Sequence, residues 1–157
     1  MQPIPLKWAL LLSMVLLAPA GCRKPATIEQ LVKHFESSGF AVAEPEPALG
    51  GIATELLTVY NQAAQAEGRP TVRAVMLDDE LVHILRFESA GETEKLAALG
   101  EKMNYGHSYS ARVQEAIGKP RFLHHANFVL LIMEGVAGED NSEQIQKIEA
   151  ALRQFKP

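Results

Sequence analysis

Apolar positions along this chain alternate between two spacings. Ile28, Leu31, Val32 and Phe35 fall at i, i+3, i+4 and i+7, which predicts a helix with one apolar face. Thr27 is placed to cap it, Gln30 completes a capping box, and Gly39 stops the helix just after Ser38. Phe40 to Ala43 has room for a short strand. Pro45 and Pro47 cannot donate backbone hydrogen bonds, so residues 44–51 read as a loop. Helical spacing returns with Ile52, Leu56, Val59, Tyr60 and Ala63, and Gly68 followed by Pro70 closes that second helix.

The middle of the chain changes period. Val72, Ala74 to Leu77 and Leu81 to Phe87 are rich in strand formers, and Asp78-Asp79-Glu80 between them predicts a hairpin turn. In the second strand Leu81, His83, Leu85 and Phe87 share one face, expected to be the core side, and Val82, Ile84, Arg86 and Glu88 share the other. A helix is expected to open at Ser89 or Gly91 and run through Met103, with Leu96, Leu99 and Met103 inward. A polar and aromatic loop from Asn104 to Ser110 follows, then a short helix from Ala111 to Ile117 closed by Gly118 and Pro120. Arg121 to His125 and Phe128 to Glu134 flank the tight turn Ala126-Asn127, and Phe128 to Met133 is apolar on both faces, as in a strand covered on both sides. Ser142 opens a last helix with Ile145, Ile148, Leu152 and Phe155 inward.

Hairpin then helix thus occurs twice. Asp79 corresponds to Asn127 at an offset of 48 residues, while Leu96, Leu99 and Met103 correspond to Ile148, Ala151 and Phe155 at an offset of 52. Two ββα units combine most simply into an α+β fold. It has one antiparallel sheet made from two hairpins, helices packed on one face, and one or two helices in front.

Ahead of this lies a different kind of segment. Lys7 is followed by an apolar run from Trp8 to Leu17 broken only by Ser13, far short of the roughly twenty residues that span a bilayer as a helix. A charged start, a short apolar middle and small residues at the end are the parts of a secretory signal peptide. At Ala20-Gly21-Cys22 the segment resembles the lipobox of bacterial prolipoproteins, in which small residues precede a Cys whose thiol takes a diacylglycerol and becomes the mature N-terminus. Pro19 departs from the Leu that family prefers three residues before the Cys. Ala18-Pro19-Ala20 also matches the A-x-A site of ordinary signal peptidase, which would release a soluble secreted protein. The lipobox reading is favoured because Cys22 is the sole Cys of the chain and falls where that motif needs it.

The resemblance implies acylation of Cys22, hence a membrane partner. Arg23 stands where the family's inner-membrane retention signal has Asp, which implies the outer membrane in a two-membrane cell. The expected division is a signal peptide at 1–21, a lipidated tether at 22–26, and one domain at 27–157.

Charge adds one exclusion. The whole chain carries 15 basic and 19 acidic side chains, net −4, and removing residues 1–21 takes away Lys7 alone, leaving −5. That balance lacks the basic footprint nucleic-acid binding requires. With a single Cys no intrachain disulfide can form, so the fold rests on its core.

Candidate chemistry is sparse. His34, His83, His107, His124 and His125 are the histidines. A metal site could pair His83 with His124 or His125, though the latter two are adjacent on a strand and face opposite ways. Tyr105, His107 and Tyr109 make the loop at 104–110 the best ligand-binding candidate. Asp78, Asp79 and Glu80 lack the alternating spacing of a calcium loop. The sequence contains neither a G-x-S-x-G elbow nor a phosphate-binding Gly loop, so no catalytic residue or cofactor is assigned. The expected role is a binding or protein-contact module in the cell envelope, meeting another protein or a second copy. A small metal-binding protein or hydrolase using the histidines is the alternative.

Overall fold

Thr27 and Gln30 form the capping box that opens α1 (Ile28–Ser37): the Thr27 hydroxyl accepts from the Gln30 N–H at 3.3 Å, and the Gln30 side chain accepts from the Thr27 N–H at 2.8 Å. The structure, a computed structural model, describes residues 24–46, 70–91, 93–94 and 118–157. Ile28, Leu31, Val32 and Phe35 are all buried on one side of α1, and Gly39 takes φ +98° as the chain leaves it.

Five strands follow: β1 (Val42–Ala43), β2 (Thr71–Leu77), β3 (Glu80–Arg86), β4 (Lys119–His125) and β5 (Phe128–Glu134). They form one antiparallel sheet in the order β1-β2-β3-β5-β4. A 3-10 turn at Val136–Gly138 leads to α2 (Ser142–Gln154). The fold is therefore α+β, with an antiparallel sheet built from two hairpins and both described helices on one face. The second N-terminal helix and the helix at 111–117 fall outside the described residues.

The hairpins repeat with constant spacing. β4 and β5 begin 48 residues after β2 and β3 respectively, all four strands have 7 residues, and the first turn residue is left-handed in both, Asp78 at φ 54° and Ala126 at φ 51°. Helical backbone resumes at Ala90, 52 residues before Ser142, while Leu96, Leu99 and Met103, on which the expected helix offset rests, lie outside the described residues. Across the central β3–β5 seam, His83 stands opposite Leu131, its own equivalent 48 residues on. A local twofold axis thus passes between these two side chains.

Which face the helices cover differs from expectation. Val75, Leu77, Val82, Ile84, Leu123, Phe128, Leu130 and Ile132 form one core cluster with the apolar sides of α1 and α2. The face bearing His83 and Leu85 is the opposite one, although His83, Leu85, Val129 and Leu131 are buried as well. β3 and β5 are apolar on both faces, so alternation could not decide between them. Arg86, the polar residue that argued against the helix side, lies at the sheet end and turns its Nε to the Ala26 carbonyl at 2.8 Å. Pro120, expected to follow a helix, lies inside β4, the outermost strand of the sheet, where a missing N–H does little harm.

Candidate functional site

Register fixes where the sheet histidines stand. His83 on β3 pairs with Ala74 and Leu131, and His124 on β4 pairs with Val129. Both lie on the face away from α1 and α2, but β5 runs between them and they are staggered by two residues. Strand spacing and rise put their Cα atoms about 12 Å apart. Side chains standing roughly perpendicular to a sheet do not converge over that span on an ion needing ligands at about 2 Å. His125 faces the other way, and its Nε2 is hydrogen-bonded with the Phe155 carbonyl at 2.8 Å. Among the described residues no group of three or more His, Cys, Asp and Glu side chains could hold a metal.

His83 is 4% exposed, and its Nε2 has no hydrogen-bond partner among the described residues. Burial pushes its proton affinity below the ordinary imidazole value, because the charged form would lose its hydration. His34 is used structurally: its Nε2 is hydrogen-bonded with the Ala151 carbonyl at 2.8 Å, and its ring meets Phe155 edge-on at 5.4 Å, joining α1 to α2.

A cleft of about 520 Å³ opens where the C-terminal end of α1 passes α2, lined in part by Ser38, Gly39, Phe40, Asp78, Lys147 and Gln154. Its charged groups and serine hydroxyls are engaged. Asp78 accepts from the Ala41 N–H through Oδ1 and from Gln144 through Oδ2, both at 2.8 Å. Lys147 pairs with Glu143 at 3.0 Å, and the Ser37 and Ser38 hydroxyls donate to carbonyls of α1. The cleft fits a contact surface better than a preorganised polar pocket.

The opposite end of the sheet carries a polar clamp that sequence patterning missed. The Ala26 carbonyl accepts from Arg86 Nε at 2.8 Å and from Asn127 Nδ2 at 3.2 Å, and Asn127 Nδ2 also donates to the Phe87 carbonyl at 3.1 Å. The Phe87 N–H in turn donates to the Asn127 carbonyl at 2.8 Å. Asn127 is 6% exposed, unusual for a hairpin-turn residue, and that burial is the sign of its role. The chain is thus held firmly at Ala26.

Cys22 and the ligand-binding candidates Tyr105, His107 and Tyr109 lie outside the described residues. No helix among the described residues is long and apolar enough to cross a membrane. Comparison with protein-family models, curated proteins and solved structures returned no match.

Proposed function

We propose that this protein is a cell-envelope lipoprotein: a small α+β domain tethered to a membrane by acylated Cys22, working by binding or protein contact. The observation that carries the reading is the leader. A charged start, a short apolar run and Ala20-Gly21 precede the sole Cys of the chain, and only Arg23, Lys24 and Pro25 separate that Cys from Ala26. Two or three acyl chains at about 0.8 kcal/mol per buried methylene hold a protein firmly, where one chain holds it marginally.

A contact role fits what the described residues offer. The histidines are spread over two sheet faces or engaged by backbone carbonyls, and the α1–α2 cleft has its charged groups already paired. The test is fractionation of cells producing the wild type and Cys22→Ser. The wild type should sediment with membranes and leave them only in detergent, whereas C22S should lose that attachment. Equal release of both proteins in buffer would contradict the proposal.

A further inference from the structure

The clamp on Ala26 has a consequence for how the domain sits on a membrane. This inference rests on the anchor reading above. From Cys22 to Ala26 the chain makes four residue steps, a reach of at most about 14 Å when fully extended. Ala26 is buried and its carbonyl is held by Arg86 and Asn127, so the tether cannot be lengthened by peeling residues off the domain without breaking both bonds.

The two ends of the sheet differ in charge. The end at Ala26 gathers the last residues of β3, the Ala126-Asn127 turn and the C-terminal end of α2, where the Phe155 carbonyl meets His125. Described charges there are balanced: Lys24, Arg86 and Lys156 against Glu29, Glu88 and Glu94. At the far end, Asp78, Asp79, Glu80, Glu139 and Asp140 cluster around the first hairpin turn and the approach to α2. Beyond Arg121, which pairs with Glu134, and Lys147, which pairs with Glu143, that end has Lys119 as its further cation among the described residues. The Asn141 side chain joins the acidic segments by donating to Glu80 and to the Met133 carbonyl, each at 2.9 Å. Along β3 the two ends are separated by about 20 Å, more than a Debye length at physiological salt.

We propose that the end of the sheet formed by Ala26, Glu88, the Ala126-Asn127 turn and Lys156 lies against lipid headgroups, and that the acidic end points away from the membrane. The short tether brings the first end to the surface, and an anionic leaflet repels the second. The outward end is then the one presented to anything the domain meets in the envelope.

The orientation can be read with the acylated full-length protein in vesicles of phosphatidylethanolamine and phosphatidylglycerol carrying a headgroup-linked energy acceptor. Single exposed positions take a donor dye through Glu88→Cys, Lys156→Cys, Asp79→Cys and Glu139→Cys, two at each end, so loss of one variant to misfolding leaves the comparison intact. Energy transfer should be several-fold greater from positions 88 and 156 than from 79 and 139. Equal transfer from both ends, or the reverse order, in protein that floats with the vesicles would overturn the orientation while leaving the anchor standing. Protein that does not float would remove the anchor and the orientation together.

Discussion

The two hairpins share strand length, register with each other and a left-handed first turn residue, yet their turns do different work. In the first, Asp78 reaches outward, accepting from the Ala41 N–H before β1 and from Gln144 on α2. In the second, Asn127 reaches inward and clamps the Ala26 and Phe87 carbonyls. Backbone geometry is common to both, so the polar side chain at each turn decides what docks there. One turn holds the edge strand and the start of α2, and the other holds the chain where it enters the domain. Ala126 adopts the same left-handed conformation with no side-chain hydrogen bond to offset it, at a cost of about 1 kcal/mol.

The largest effect should come from the equivalent core pair. Ile84 and Ile132 are 48 residues apart, both fully buried in the same cluster under α1 and α2. Ile84→Ala and Ile132→Ala should each lower unfolding free energy by roughly 3 to 4 kcal/mol, alike within about 1 kcal/mol, in denaturant titrations. A wide gap between them would mean that the repeat is one of backbone shape without matched packing.

Turn residues should then break the equivalence. Asn127→Ala removes the side-chain donor to the Phe87 carbonyl and leaves the Ala26 carbonyl with Arg86 alone, and should cost about 1 to 3 kcal/mol. Asp79→Ala, at the matching position but exposed, should stay within about 0.5 kcal/mol of wild type. Similar losses from both would refute the division of labour between the turns.

An effect smaller than that of Asn127→Ala sits on the twofold axis, where His83 faces Leu131. Because burial depresses its proton affinity, the unfolded chain binds a proton there more readily than the folded one below the ordinary value of 6.5. Stability from this site is present at neutral pH and is lost as pH falls through that window. His83→Leu makes the pair Leu–Leu and removes a buried nitrogen that has no partner among the described residues. It should stabilise by roughly 1 kcal/mol at pH 7 and flatten the loss between pH 7 and 5, measured by thermal unfolding. An unchanged acid slope would place the titrating group elsewhere.

Local chemistry made much of this fold legible in the sequence. The capping box at Thr27, the two hairpin turns, one of them expected over 78–80 and formed by 78–79 with Glu80 opening β3, and the 48-residue offset all follow from short-range rules that act on the folded chain as they do on a peptide. Two things escaped because they depend on distant partners. β3 and β5 are apolar on both faces, so alternation could not say which face α1 and α2 cover. Asn127 reads only as part of a tight turn because nothing local shows that Ala26, far away in sequence, takes its amide as a donor. Of the site candidates, the opposite facing of His124 and His125 was legible from strand periodicity. The separation of His83 from His124 required knowing that β5 inserts between their strands.

The central claim is that Cys22 joins this domain to a membrane a few residues before the fold begins. Intact mass of the mature protein purified from envelope in detergent tests it most directly. A chain beginning at Cys22 and heavier than its sequence by a diacylglyceryl group, with or without a further acyl chain, is the predicted result. A chain retaining residues 1–21, or one beginning at Gly21 with an unmodified thiol, would contradict it.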